Sequence, residues 1–255
     1  MQKSELCKRL EAAGIENAGM EAVWLLERFS GEALEQAIDR RCRHYPLQYL
    51  LGEWDFYRET YEVSEDCLIP RPDTELLVEQ AIKRLPSGAR FLDLCTGSGC
   101  VAISTLCARP DTSAVAIDLF EPTLALARRN ASRNGVAERI ELLRADVLEL
   151  PPCEWQGEFS AILSNPPYIR AADMLTLQPE VCHEPAAALD GGRDGLDFYR
   201  AILQNWRQKL APGGFFLFEI GYDQGDDLRA LAKEHGLCAT VFRDLGGNDR
   251  VVLLN

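Results

Sequence analysis

From Phe91 onward short apolar runs alternate with helix-length stretches, and no other feature of the sequence limits the fold so strongly. Phe91–Leu94, Ala114–Ile117, Ile140–Leu143 and Phe159–Leu163 read as buried strands, with Val101–Ala108 and Pro122–Asn134 as helices among them. Strands joined through helices lie parallel in one sheet with helices on both faces. A helix over Leu196–Leu210, a strand Phe215–Ile220 after Pro212-Gly213-Gly214 and a helix at Asp226–His235 extend the alternation. The last two runs, Ala239–Leu245 and Arg250–Leu253, are separated only by a turn at Gly246-Gly247, which implies an antiparallel end. The expectation is a doubly wound α/β domain with a mostly parallel, seven-stranded sheet.

Ahead of this domain the periodicity differs. Ala22, Leu25, Leu26 and Phe29, then Leu34, Ala37 and Ile38, recur at helical spacing, and Gly14 and Gly31 read as stops between short helices. Residues 1–45 are therefore expected to be a small helical domain whose role is docking rather than chemistry. From Pro46 the pattern turns to Tyr49, Trp54, Phe56, Tyr57 and Tyr61, with Gly52 at a turn and rough alternation over Thr60–Val63, so residues 46–70 read as a β-hairpin linker. Ile69-Pro70-Arg71-Pro72-Asp73-Thr74-Glu75 then opens a helix with Val78, Ile82 and Leu85 on its apolar face. Asp73 is the expected cap, and Glu75 suits the positive helix end.

The fourth strand of the main domain runs into Ser164-Asn165-Pro166-Pro167-Tyr168. Proline has no N–H to give, so the pair ends the strand and leaves carbonyls unpaired at its carboxyl end, where open α/β sheets bind ligands. A side-chain amide, a rigid carbonyl and an aromatic ring arriving together suit a flat NH2 group. Asn165 and the Pro166 carbonyl could accept its two hydrogens while Tyr168 covers a π face. The plain alternative is a strand-ending turn with an Asn cap.

A second constellation lies where the first strand turns into its helix, at Asp93-Leu94-Cys95-Thr96-Gly97-Ser98-Gly99-Cys100. Gly97 and Gly99 remove side chains so that backbone can approach a ligand. Asp118 follows at the end of the second strand, placed to accept hydrogen bonds from a ribose diol, and Asp146 ends the third, near where an adenine would lie. Gly97, Gly99 and Ala102 also satisfy the dinucleotide pattern G-x-G-x-x-A, so a dehydrogenase is an alternative on the loop alone. The residues after the fourth strand supply no hydride chemistry.

Composition excludes several classes. Residues 1–45 carry seven Lys/Arg against eight Asp/Glu, leaving 20 against 32 of the chain's 27 and 40, and a net charge of -13 argues against long-range attraction to nucleic acid phosphates. The first residues lack the apolar core of a secretion signal, and no apolar run approaches the ~20 residues of a membrane span, so a cytoplasmic protein is expected. Nine cysteines without CxxC pairs fit a reducing compartment, and three histidines, with Cys182-His183 the one adjacent couple, give no metal-ligand spacing.

The Asn-Pro-Pro-Tyr stretch resembles the signature of S-adenosylmethionine-dependent methyltransferases acting on planar nitrogens, whether glutamine amides or exocyclic base amines. Ile69–Glu75, Asp93–Gly99, Ser164–Ile169, Glu184-Pro185 with Ala188-Leu189, Asp194-Gly195-Leu196 and Asp249-Arg250-Val251 occur, in that order, as in the peptide chain release factor N5-glutamine methyltransferases (the HemK/PrmC family). That resemblance implies a class I methyltransferase domain over residues 71–255. It also implies methylation of the glutamine in the Gly-Gly-Gln loop of class 1 release factors, with no nucleic acid substrate and no membrane partner. By position it assigns Cys95, Thr96, Gly97, Ser98, Gly99 and Asp118 to S-adenosylmethionine, and Val147, after Asp146, to the adenine. Asn165 belongs to both the cofactor and the substrate side, and Pro166, Pro167 and Tyr168 to the substrate amide. Two departures stand out: Cys95 occupies a position that is glycine in many members, and the helical head is shorter than usual. A sibling group methylates a ribosomal-protein glutamine and shares two of these stretches, but Arg71–Glu75 resembles the release-factor group.

Overall fold

A computed structural model describes residues 2–151, 153, 155 and 158–255. Three helices open the chain: α1 (Lys3–Ala12), α2 (Ala18–Arg28) and α3 (Gly31–Arg41). Their helical-period apolar residues, among them Leu6, Leu10, Ala22, Leu25 and Ile38, are fully buried in a cluster of their own, which also takes in Leu47. A short helix α4 (Leu47–Leu51) ends at Gly52, whose left-handed φ of +76° suits a residue without Cβ. The expected hairpin follows as β1 (Glu53–Phe56) and β2 (Glu59–Glu62), paired antiparallel. It turns at Tyr57-Arg58, where Tyr57 itself has φ +59°. Gly52 therefore stops a helix that five residues were too few to announce.

A 3-10 turn, Pro72–Thr74, leads into α5 (Glu75–Arg84). Asp73 does not cap it, because the turn moves the helix start two residues on. Its carboxylate instead faces Arg250 at 3.4 Å. The main domain continues through β3 (Arg90–Leu94), α6 (Cys100–Ala108), β4 (Ser113–Asp118), α7 (Glu121–Arg133), β5 (Ile140–Arg144) and β6 (Phe159–Ser164). Then come α8 (Asp197–Ala201), β7 (Leu210–Glu219), α9 (Gly225–Glu234), β8 (Ala239–Arg243) and β9 (Asp249–Leu254). The single helix expected over Leu196–Leu210 is composite, since α8 runs on as a π turn, Ile202–Trp206, and a 3-10 turn, Arg207–Lys209.

The seven strands form one sheet in the order β5-β4-β3-β6-β7-β9-β8. All neighbours are parallel except at β9, which runs antiparallel to both β7 and β8. Side chains alternate across it as the pleat requires. Phe91, Ala161, Leu163 and Leu217 pack on the face covered by α5 and α6, whereas Leu92, Leu94, Ile162 and Phe218 pack on the face with Tyr199, Trp206 and α9. In β7 the ladder jumps from Leu210 to Phe215, so Pro212-Gly213-Gly214 bulge out before the buried part of the strand begins. Chain order reverses between β3 and β6. Their carboxyl ends therefore open a crevice at the switch point, where this sheet class holds ligands.

Candidate active site

A cavity of about 420 Å³ occupies that crevice. Its wall includes Cys95, Thr96, Gly97 and Ser98 from the loop after β3, Asp118 from β4, Asp146 and Val147 after β5, and Asn165 and Pro167 after β6. Gly99, Pro166 and Tyr168 are not part of that wall.

The glycine loop is built by backbone bonds. Thr96 N–H donates to the Ile117 carbonyl at 2.9 Å, and Gly99 N–H to the Thr96 carbonyl at 2.9 Å. Beneath them the buried Asp93 accepts from the Thr96 hydroxyl at 2.6 Å and from Ala102 N–H at 3.3 Å. Burial pushes the Asp93 carboxyl up to about 7, against the pull of those donors. Cys95 stands at φ +59°, a conformation that favours glycine. The two glycines differ in their work. A Cβ on Gly97 would meet nothing within 4 Å, so its absence leaves room at the cavity, whereas one on Gly99 would lie 2.7 Å from Ile103 Cδ1, inside the helix packing.

Asp118 is fixed in place before any ligand arrives. Its Oδ2 accepts from Gly97 N–H at 3.0 Å and its Oδ1 from Phe120 N–H at 3.1 Å. Burial raises its pKa, and those two N–H groups hold it back. Each oxygen keeps a lone pair for a hydroxyl donor. On the next loop, Asp146 accepts from Leu148 N–H at 2.9 Å, and the Val147 carbonyl takes the buried Trp206 indole N–H at 2.9 Å.

At the end of β6 the Ser164 hydroxyl ties to the Leu94 carbonyl at 2.6 Å, joining the two central strands. Asn165 donates through Nδ2 to Thr74 Oγ1 at 3.2 Å, which leaves Oδ1 as its free acceptor. No backbone N–H among the described residues is bonded to the Pro166 carbonyl. The Tyr168 hydroxyl reaches Glu219 at 3.5 Å, and its carbonyl accepts from the buried Gln224 Nε2 at 3.2 Å. Burial raises the Tyr168 phenol well above its ordinary value.

The segment after Tyr168 folds back on it. Ile169 N–H bonds the Leu189 carbonyl at 2.9 Å, and Gly191 N–H returns to the Ile169 carbonyl at 2.8 Å. The contact is so close that a Cβ on Gly191 would sit 2.7 Å from Tyr168 Cα, and one on Gly195 2.3 Å from the Tyr168 oxygen. Glu184, whose role the sequence leaves open, is buried and binds the linker: it accepts from Ile69 N–H at 3.0 Å and pairs with Arg71. Glu180 binds the head through Arg41 at 3.2 Å and His44 at 3.0 Å. Asp194 pairs with Arg200 at 2.6 Å, which holds its carboxyl down to about 2, and it caps Leu196 N–H at 3.2 Å.

Thr74 and Glu219 escaped the sequence reading. Thr74 lies inside a stretch read there as a helix start, and the signal for Glu219 was a lone acid closing an apolar strand. Neither histidine nor lysine lines the cavity among the described residues, and burial raises the Cys67, Cys95 and Cys100 thiols, so the bases that face it are carboxylates: Asp66, Asp118, Asp146, Asp190 and Asp197.

Comparison with known proteins gives this geometry a context. A family described as "Methyltransferase small domain" matches residues 72–194, a span holding both the glycine loop and Asn-Pro-Pro-Tyr. The release factor glutamine methyltransferase of Geobacter sulfurreducens is 39% identical over 95% of this chain and 91% of its own length. The chain belongs to the release factor glutamine methyltransferase family. Its counterpart from Moorella thermoacetica is 38% identical over 98% of this chain and 95% of that relative. In three dimensions, a ribosomal protein L11 methylase from Lactobacillus delbrueckii subsp. bulgaricus shares the fold, with a TM-score of 0.53 and 20% identity over 72% of this chain and 79% of that one. For this methyltransferase family and fold the methyl donor is S-adenosyl-L-methionine. The cavity wall fits it: a held carboxylate with free lone pairs, a loop opened at Gly97, and apolar Leu119, Phe120 and Val147 beside Asp146.

Proposed function

We propose that this enzyme transfers the methyl group of S-adenosyl-L-methionine to the side-chain amide nitrogen, N5, of the glutamine in the Gly-Gly-Gln loop of class 1 peptide chain release factors. The observation that carries the reading is the Asn165 amide, whose nitrogen is engaged by Thr74 so that its oxygen is the free acceptor. An amide nitrogen is a weak nucleophile because its lone pair is delocalised, and among the described residues no His or Lys lines the cavity, only carboxylates, which are far too weak as bases to deprotonate an amide. Positioning therefore carries the rate. Asn165 Oδ1 and the Pro166 carbonyl accept the two N–H groups, aim the nitrogen for in-line attack, and bind more strongly as positive charge develops on it. The bound donor contributes an electrophilic methyl on a sulfonium. Asp118 takes the ribose hydroxyls; Cys95 to Gly99 and Asp146 with Val147 enclose the remainder, and Pro167 and Tyr168 shape the substrate side.

In the same reading residues 1–45 dock the release factor, residues 46–70 link, and residues 71–255 catalyse. The substrate is a cytoplasmic protein rather than a nucleic acid, in keeping with the net charge of -13. No helix among the described residues is long and apolar enough to cross a membrane. Adenine N6 and a ribosomal-protein glutamine are the competing substrates, since both present a planar NH2. The expected result is methyl incorporation into a class 1 release factor, abolished when the glutamine of its Gly-Gly-Gln loop is changed. Mass spectrometry of release factor, ribosomal proteins and RNA places the methyl group, and its appearance on adenine or a ribosomal protein with the release factor unmodified would overturn the assignment.

A further inference from the structure

An acid closes an otherwise apolar strand. In β7, Phe215, Phe216, Leu217 and Phe218 are buried, and Glu219 follows them at 1% exposure. A buried carboxylate needs compensation, and this one has little. Its Oε1 takes the Tyr168 hydroxyl at a long 3.5 Å, and its Oε2 has no hydrogen-bond partner among the described residues. The Thr74 hydroxyl, also 1% exposed, is near enough to favour the ionised form of the carboxylate, without a formed hydrogen bond between them. The same oxygen of Thr74 accepts from Asn165 Nδ2 at 3.2 Å. Thr74 and Asn165 thus stand on the cavity wall, with the Glu219 carboxylate outside it on the Thr74 side.

We propose that Glu219 is a positioning residue that sets, through the Thr74 hydroxyl, which end of the Asn165 amide faces the substrate. This rests on the reading of Asn165 as the acceptor for the glutamine amide.

The directionality follows from donor counts. An ionised carboxylate only accepts, and a threonine hydroxyl has one hydrogen and two lone pairs. Facing Glu219, Thr74 turns its hydrogen toward the carboxylate and a lone pair toward Asn165. Only the nitrogen of the Asn165 amide can meet a lone pair, so Oδ1 is left as acceptor. A protonated Glu219 can instead donate to Thr74, freeing the hydroxyl hydrogen for Asn165. The amide then gains by turning over, since its two ends are nearly the same shape, and it would present NH2 to the NH2 of the substrate. Two donors would face one another and the productive pose would be lost.

The surroundings let Glu219 titrate near neutrality. Burial pushes its carboxyl up to about 7; Thr74, Arg250 and Tyr168 pull it back and Asp73 pushes it further. Arg250, from β9, is itself engaged by Asp244 at 3.1 Å and Asp73 at 3.4 Å, so it acts on Glu219 at a distance. The other titratable neighbours are the Tyr199 phenol, bonded to the Glu219 backbone carbonyl at 2.7 Å, and the Cys100 thiol.

The test measures kcat and KM for intact release factor, at saturating methyl donor and across the neutral range, in wild type, E219Q, T74V, the double variant and N165A. Wild-type kcat should rise with pH through about 7 and then level. Glutamine can accept or donate and does not titrate, so E219Q should lose that inflection and run about tenfold below wild type on the alkaline side, a part of the ~10² to 10³ attached to one preorganised hydrogen bond. T74V should reproduce this loss, and the double variant should be no slower than either single one. An inflection retained in E219Q, or single effects that multiply in the double variant, would overturn the relay. Should E219Q fail to fold, judged by its thermal transition, T74V alone carries the test: it must lose the inflection, or the relay falls. N165A slow with E219Q and T74V unaffected removes the relay alone, whereas N165A near wild-type rate removes the reading beneath it as well.

Discussion

Replacing Asp118 with alanine should weaken cofactor binding by one to two orders of magnitude while leaving the fold intact. The carboxylate is held at 3.0 Å by Gly97 N–H and at 3.1 Å by Phe120 N–H, so a ribose diol meets an acceptor already in position. Hydrogen bonds to a charged group contribute about 1.5 to 3 kcal/mol. At roughly 1.4 kcal/mol per tenfold, that range corresponds to a loss of about 10- to 150-fold in affinity. Little of it should be offset by rearrangement, because the acceptor does not move to bind. Alanine also frees the Gly97 and Phe120 N–H groups, which solvent in the open cavity can satisfy, so the penalty should fall on binding rather than on folding. Asp118→Asn keeps one acceptor oxygen and loses the charge, and it should lie between the two. Titration calorimetry with S-adenosylhomocysteine at neutral pH measures the difference directly. An alanine variant within twofold of wild type would refute the ribose assignment.

The remaining expectations concern turnover, docking and pH. Asn165→Ala should leave S-adenosylhomocysteine affinity within a few-fold and lower single-turnover rates by about 10² to 10³; retention of half the normal rate would remove Asn165 from the mechanism. Deleting residues 1–45 should raise KM for an intact release factor far more than for a short Gly-Gly-Gln peptide, because only the protein loses uniform binding. Equal effects on both would mean that Arg41 and His44 simply brace Glu180. Glu219 makes a prediction about stability opposite in sign to its kinetic one. Its folded pKa is raised to about 7 from 4.5, so as pH climbs through that window the unfolded chain releases the proton first and stability falls, by up to about 3 kcal/mol at neutral pH and above. Urea unfolding should therefore find E219Q more stable than wild type on the alkaline side, with the gap closing toward pH 4.5; a gap independent of pH would contradict the burial argument.

The sheet was legible because parallel strands buried on both faces leave uninterrupted apolar runs, and Phe91–Leu94 and Phe159–Leu163 need no partner to be recognised. Asn165, Gly97 and Asp118 were legible for a different reason: each lies at or within three residues of the end of such a strand, and strand ends are where the fold exposes backbone. What escaped was whatever depended on residues distant in the chain. Thr74 reads as part of a helix start until β6 brings Asn165 to 3.2 Å from it. Asp73 has the right chemistry for a cap, yet a 3-10 turn and the distant Arg250 decide its place. Tyr168 was expected to offer its ring to the substrate, and nothing in the sequence announced that its hydroxyl reaches Glu219, a partner 51 positions away. The composite helix after Leu196 illustrates the same limit, since period alone does not separate α from π turns.

The two glycines pressed against Tyr168 bear on how variation in this chain should be interpreted. Asp190-Gly191-Gly192-Arg193-Asp194-Gly195 has the composition of a permissive surface connector, the kind of segment in which insertions and substitutions are ordinarily absorbed. Here Gly191 and Gly195 act as a mould for the backbone that carries the Pro166 and Pro167 carbonyls. Any side chain at either would have to displace main chain rather than a flexible side-chain tip. A saturation scan scored on activity should therefore find these two positions as intolerant as Asn165, although neither offers a functional group to the reaction. Ranking positions by intolerance alone would mistake a spatial requirement for a chemical one, and the two separate only when folding and turnover are scored side by side.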